Sequence, residues 1–298
     1  MVHPYDRSKL FLLLTSLFAS IINSVFASVV STGNFSSDFH ITWSPGHVIT
    51  SSDAHSRSLL LDNESGSSFA SNDKFLFGQI DMQIKLVPGD SAGTVLAYYA
   101  TSDRPNRDEI DFEFLGNVSG QPYILQTNIY ANGSGDREER IYLWFDPTKD
   151  YHTYSIFWNI YQIVFMVDWV PIRVFRNHAG KGVAFPGWQP MWIKASLWNG
   201  DSWATRGGRN KVNWSKGPFV AWLRNYKVDA CVWKGRPRFC RAGSRGNWWN
   251  QRKFESLTWR QRRLFKWVRK YYLIYDYCQD TNRFLQDELP RECSLPKY

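Results

Sequence analysis

The chain has 298 residues, 43% hydrophobic and 21% charged, the ordinary balance of a globular protein. No segment after the first 27 residues is long and apolar enough to cross a bilayer as a helix, so no helical span is expected there. Aromatics reach 17%, with 15 Trp, and the net charge is +9.

Met1 to Lys9 carries Arg7 and Lys9 and is followed by the apolar run "LFLLLTSLF". Val25 and Ala27 are small residues placed for cleavage after Ala27, so residues 1–27 read as a secretory signal peptide. The alternative is a membrane anchor continuing through "ASIINSVF". Asn23 and the serines interrupt it short of the roughly 20 apolar residues a span needs. The reading therefore expects a secreted protein, with no membrane contact once the leader is removed.

From about Phe35 to Asp229 the sequence predicts short strands separated by turns. "LFGQIDMQIKL" alternates Ile80, Met82, Ile84 and Leu86 with polar neighbours. "AGTVLAYYA", "YILQTNIYA", "YSIFWNI" and "QIVFMVDWV" share its β-branched and aromatic enrichment, and "VPGDSAG", "ANGSGD" and "FPGWQP" punctuate them. Many strands without intervening helical patterns predict an all-β fold, two antiparallel sheets packed face to face. No internal repeat or linker divides it, so residues 28–229 are expected to form one domain.

Within this run, "DEIDFEFLG" (Asp108 to Gly116) sets an acidic row against an apolar one. In a strand, Glu109, Asp111 and Glu113 share one face, and Ile110, Phe112 and Phe114 the other. Glu109 and Glu113 lie four residues apart, about 13 Å along a strand. Inward lean of both side chains brings the carboxyl groups to roughly 5 Å, the separation of retaining glycosidases. Crowding drives one member of such a set to keep its proton, as a general acid must. Asp111, between them, is placed to share a proton with the nucleophile. A calcium site and an exposed strand face are the competing readings. Calcium loops mix in Asn, Gly and carbonyl ligands, and an exposed face seldom backs onto such bulky residues.

The last quarter changes character. Residues 230–298 are expected to form an extension packed on the sandwich. Leu264, Trp267, Val268, Tyr271 and Tyr272 follow helical spacing, with Arg262, Arg263, Lys266, Arg269 and Lys270 between them. "LIYDYC" reads as a last strand. Cys231, Cys240, Cys278 and Cys293 read as two disulfides after export, three pairings being open. Zinc is the alternative, but no His lies at ligand spacing. Sequons stand at Asn34, Asn63, Asn117, Asn132 and Asn213. Between Lys234 and Lys270 only Glu255 is acidic. A nucleic-acid groove, a polyanionic matrix contact and a merely solvated face all fit that bias, and export argues against nucleic acid.

"DEIDFEFLGN" resembles the active-site signature of xyloglucan endotransglucosylase/hydrolases, in glycoside hydrolase family 16. "LVPGDSAGTVLAYY", "QTNIYANGSGDREERIYLWFDPT", "VPIRVF", "SLWNGDSWATRGG", "NWSKGPF", "YDYCQD" and "PREC" extend the resemblance over nearly all of the mature chain. It implies a concanavalin-like β-jelly-roll with a long substrate cleft, disulfides Cys231–Cys240 and Cys278–Cys293, and a glycan on Asn117. It also implies secretion to the plant cell wall, action as a monomer, and chemistry without metal or organic cofactor.

By position, Glu109 matches the family nucleophile, Asp111 the helper and Glu113 the acid/base. Gln126, Thr127 and Asn128 match a substrate-binding strand, and Asp136, Arg137, Glu138 and Arg140 a loop at the cleft. Trp198 and Trp203, with Ala204 and Gly208, match an acceptor-side aromatic platform, where indoles stack on sugar rings. Arg283 matches a tail arginine at the acceptor end. Trp192 shares strand parity with Trp198.

One position departs from the pattern: the family usually has His where this chain has Arg107. An always-charged residue there is expected to pair with Asp108 or Glu109, and a cation beside an acid favours its charged form, moving a pH optimum down. The resemblance implies transfer between xyloglucan chains, because "IYANGSGDREER" is as short as in transferase members. The alternatives are a hydrolytic xyloglucan enzyme on the same fold and a non-catalytic carbohydrate-binding protein.

Overall fold

The computed structural model describes residues 28–284 and 289–297; the leader expected over residues 1–27 lies outside the described residues. Two-residue periodicity becomes a series of strands: β1 (Ser28–Thr32), β2 (Phe39–Trp43), β3 (Val48–Thr50), β4 (Ser56–Leu61) and β5 (Ser67–Ser71). There follow β6 (Phe75–Lys85), β7 (Thr94–Thr101), β8 (Glu109–Leu115), β9 (Ile124–Tyr130) and β10 (Glu139–Tyr142). The last six are β11 (His152–Trp158), β12 (Gln162–Val167), β13 (Val170–Arg176), β14 (Trp192–Asn199), β15 (Phe219–Val232) and β16 (Leu273–Asp276).

They form two antiparallel sheets. One runs β13-β12-β11-β6-β15-β4-β3, with β1 added beside β15; the other runs β16-β10-β9-β8-β7-β14-β5-β2. The acidic strand β8 is interior in the second sheet, paired with β7 and β9. An interior strand has both backbone edges hydrogen-bonded, so its register is held from two sides.

The apolar row of β8 faces the first sheet. Phe112 meets Phe165 of β12 edge-to-face at 5.1 Å, and Phe114 meets Tyr154 of β11 at 4.7 Å. Tyr98 of β7 stacks on Phe112 at 6.1 Å. All five side chains are fully buried, and each of the three Phe rings contributes about 1.5–3 kcal/mol by leaving water. Slipping β8 by one residue would put its carboxylates into this aromatic layer, which is why the register is well specified.

The C-terminal part is woven into the second sheet. Its strand β16 pairs with β10 at the sheet edge. The expected boundary after Asp229 falls inside β15, which continues to Val232. The disulfides are Cys231–Cys240 and Cys278–Cys293. The second closes a span of 15 residues, for which chain entropy gives about 3 kcal/mol.

Helix α1 (Trp259–Tyr271) opens with a capping box between Thr258 and Gln261. The expected stripe packs on the core through Val268, Trp267 and Tyr272, with Phe265 added to it, while Tyr271 is 63% exposed. The seat of the helix is electrostatic as well as apolar. Arg269, one turn after Phe265, points inward to Glu139 Oε2 at 2.6 Å and Asp276 Oδ2 at 2.5 Å. Lys297 adds a contact to Asp276 at 2.7 Å. Burial opposes ionisation of Asp276, but Lys297 and Arg269 outweigh it and hold its carboxyl below the usual aspartate range.

Removing Arg269 would leave the buried carboxylates of Glu139 and Asp276 with Lys297, 3.5 and 2.7 Å away. Arg269→Ala should therefore destabilise the protein by about 3 kcal/mol, the low end for breaking a buried ion pair, against about 1 kcal/mol for the cap variant Thr258→Ala. Urea midpoints of the two variants check this, and equal small shifts would contradict it. Because Asp276 titrates low in the folded state, its share of stability is present above the ordinary aspartate value. That share should disappear as pH falls through the depressed one.

Candidate active site

Register assembles the site from three strands. Glu109 lies opposite Thr101 and Tyr130, Asp111 opposite Tyr99 and Asn128, and Glu113 opposite Ala97 and Gln126. These nine side chains share the face of the sheet turned away from the aromatic core. Cross-strand neighbours are invisible in a linear sequence, so Thr101, Tyr99 and Tyr130 carry no signal there.

The three carboxylates have different surroundings. Glu109 Oε2 accepts from Thr101 Oγ1 at 2.7 Å and Arg107 Nε at 3.0 Å, and Oε1 accepts from Arg107 Nη2 at 3.1 Å. Arg107 therefore pairs with Glu109 and not with Asp108. Asp108 points to the other side, where its Oδ1 accepts from the Asn132 N–H at 2.7 Å. Burial pushes the Asp108 carboxyl up to about 6, with that hydrogen bond opposing.

Asp111 is 7% exposed, and its Oδ1 has no hydrogen-bond partner among the described residues. Burial first, then the charges of Glu109 and Glu113, push it well above the usual range. Glu113 is also raised, chiefly by burial, with its hydrogen bond from Gln126 opposing. Gln126 Nε2 donates to Glu113 Oε2 at 2.5 Å, while Gln126 Oε1 accepts from Arg140 Nε at 2.6 Å. Arg140 lies over the ring of Tyr275 on β16, 5.2 Å from its centroid. The same crowding pushes the Tyr99 hydroxyl up to about 12, by burial and then by Glu109 and Asp111.

Other residues singled out in the sequence divide into two groups. Trp198 and Trp203 come together, ring centroids 6.0 Å apart, over a small cluster of Val95, Leu115 and Ala204. Gly208 has φ +80°, and a Cβ there would lie 2.4 Å from the Ser202 carbonyl oxygen, so glycine shapes the turn that carries Trp203. Asp136 and Glu138 converge on Arg283, at 2.7 and 2.5 Å. Trp192 lies opposite Thr101 with the Lys74 ammonium 3.9 Å over its ring.

Thr127 and Arg137 are placed differently from expectation. Thr127 is opposite Phe112, so parity turns it into the core, where its hydroxyl accepts from the buried Arg173 at 3.0 Å. Arg137 is buried too, donating to Glu292 at 2.5 Å and to the Ser134 carbonyl at 2.6 Å. Neither reaches the carboxylate face. Asn128 is on that face, but its Oδ1 is used by the N–H groups of Ile129 and Arg137. Asn117 follows β8, half-buried, with Nδ2 donating to the Pro122 carbonyl at 3.0 Å. Among the described residues, no group of three His, Cys, Asp or Glu is arranged to hold a metal ion.

Residues 35–216 match the family "Glycosyl hydrolases family 16", and residues 243–293 match "Xyloglucan endo-transglycosylase (XET) C-terminus". The chain is 65% identical over 298 residues to "Probable xyloglucan endotransglucosylase/hydrolase protein 10" of Arabidopsis thaliana, covering 98% of this chain and 99% of the relative. It is 51% identical over 259 residues to "Xyloglucan endotransglucosylase protein 34" of Populus tremula x Populus tremuloides, 87% of each chain. The solved structure "Apo Crh5 transglycosylase" shares the fold, with a TM-score of 0.58 and 21% identity over 71% of this chain and 87% of that one. A jelly-roll sandwich with an acidic row across one sheet, matched nearly end to end at this identity, places the chain among the retaining, glycosyl-transferring enzymes of the xyloglucan endotransglucosylase/hydrolase family, within glycosyl hydrolases family 16.

Proposed function

We propose that this enzyme is a xyloglucan endotransglucosylase: it cuts an internal β-1,4-glucan link and rejoins the fragment to a second xyloglucan chain. The observation that carries the mechanism is the asymmetry of its acids. Glu109 sits in a charge-assisted clamp from Arg107, while burial raises the Glu113 carboxyl, the direction a general acid needs. Glu109 attacks the anomeric carbon as Glu113 protonates the departing glycan oxygen. Glu113, now a base, then takes the proton of the incoming hydroxyl as it displaces Glu109. Asp111, raised by burial and then by its two neighbours, acts as their proton-sharing partner.

Transfer needs an acceptor that outcompetes water at about 55 M, hence a positioned sugar with high effective concentration. The paired indoles of Trp198 and Trp203 support such a platform. The connection between β9 and β10, residues 131–138, is short, which supports the transfer reading. The basic leader and apolar run that open the chain support secretion, and plant relatives support a place in the wall. Exposed cations between Lys234 and Lys270 form a candidate contact for polyanionic wall polysaccharide.

With xyloglucan and a labelled xyloglucan oligosaccharide, label should move into polymer. A rise in reducing ends with no labelled polymer would instead establish the hydrolytic reading. Glu109→Ala should lower the rate by at least about 10⁴-fold, and Glu113→Gln by about 10²–10⁴-fold. Retained activity in Glu109→Ala would sink the mechanism.

A pH effect on stability follows from the same acids. Raised carboxyls in the folded state bind protons that the unfolded chain releases, so stability falls as pH rises above the ordinary carboxylate range. Glu113→Gln removes the Glu113 share of that loss and should melt higher than the wild type at pH 7 while being less active. Thermal melts of both proteins from pH 4 to 8 test it, and a lower melting temperature at pH 7 would contradict it.

A further inference from the structure

Arg107 lies just before β8, on backbone fastened from both sides. Asn132 and Gly133 have φ of 53° and 82°, the left-handed pair of a tight hairpin turn. The turn donates the Gly133 N–H to the Arg107 carbonyl at 2.9 Å and the Asn132 N–H to Asp108 Oδ1. On the other side the Asp108 N–H donates to Ser102 Oγ at 2.8 Å. The Arg107 guanidinium then rests on the Tyr130 ring, 4.3 Å from its centroid. That ring is itself packed against Gly135, where a Cβ would come within 2.3 Å of it. The guanidinium is thus held where its Nε and Nη2 reach the two oxygens of Glu109.

The two oxygens of Glu109 are not equivalent. Oε2 accepts from both Thr101 and Arg107, whereas among the described residues Oε1 accepts only the Arg107 Nη2 bond at 3.1 Å. A carboxylate oxygen with fewer bonds keeps a lone pair for a new partner. We propose that Arg107 is a positioning residue for the second half of the reaction: it presents Oε1 to the anomeric carbon and receives the carboxylate when the glycosyl group departs. The inference rests on the double displacement proposed above.

In the first half, a bond forms from Oε1 to the anomeric carbon, the glycosidic C–O bond breaks, and the leaving oxygen takes the Glu113 proton. Glu109 is now a neutral ester, and Arg107, whose side chain is 23% exposed, has lost its counter-charge. In the second half, the acceptor hydroxyl gives its proton to Glu113 and bonds to the anomeric carbon. The ester C–O bond breaks, and its electron pair returns to Glu109 beside the waiting guanidinium. An ion pair present before and after the intermediate, but absent within it, raises the intermediate relative to both neighbours. It therefore hastens release, as a fixed donor aimed at developing charge does.

The experiment uses a xyloglucan oligosaccharide carrying an activated nitrophenyl leaving group, which makes glycosylation independent of Glu113 protonation. Nitrophenol release in rapid mixing and intact mass after acid quench report the glycosyl-enzyme. Arg107→Gln should slow deglycosylation by about a hundredfold, the lower end of what one oxyanion donor contributes, because Thr101 remains. A burst and an adduct larger than in the wild type should appear. Arg107→Lys, which keeps the charge but not the fork, should fall between them. If Arg107→Gln does not fold, Arg107→Lys carries the test alone and should still accumulate adduct above wild type.

A folded Arg107→Gln with the wild-type adduct fraction would overturn the inference, and so would equal slowing of both steps. If no glycan adduct forms on Glu109 in any variant while the substrate is turned over, the double displacement itself fails and the inference falls with it.

Discussion

Everything at the site depends on one constraint, the two-residue pleat of β8 held between β7 and β9. A strand cannot turn one side chain without turning the row. Burying Phe112 and Phe114 between the sheets therefore forces Glu109, Asp111 and Glu113 to the opposite face together. The aromatic contacts to Tyr154 and Phe165 stabilise the register, and the register accommodates the electrostatic cost of three adjacent acids. Structure and chemistry here are two faces of the same strand.

The acids then differ because their cross-strand neighbours differ. Thr101 and Arg107 give Glu109 donors on both oxygens. Glu113 has one donor, Gln126, and small Ala97 on its other flank. Asp111 has burial and repulsion on both sides. A symmetrical row of charges becomes an ordered set through neighbours supplied by β7, β9 and the turn after β9. The same logic reaches further along the sheet, where Arg140 links Gln126 to Tyr275.

That link ties the C-terminal extension to the site. β16 completes the sheet edge, Arg269 and Lys297 neutralise Glu139 and Asp276, and Arg283 gathers Asp136 and Glu138. Ion pairs at a partly buried seam are costly unless every member is paired. The seam therefore specifies one arrangement of tail against sandwich. The extension shapes the face next to the carboxylates, and is more than a cover for an exposed edge.

The sequence by itself determined the strand pattern, the two rows of β8, the helix near the C terminus and the family signature. Those features are local: period two, period 3.6 and a contiguous motif are all visible in one dimension. Only the tertiary structure decided which neighbours each row would meet. It turned Thr127 into the core beside Phe112 and Arg137 toward Glu292, although both stand in runs that read as substrate-facing. It added Phe265 and Arg269 of α1 to the inward-facing side beside Val268. It also paired Arg107 with Glu109 and gave Asp108 to the Asn132 turn. The physical reason is common to all four. Side-chain partners across strands are set by register and packing between segments far apart in the chain, and local spacing carries no record of them.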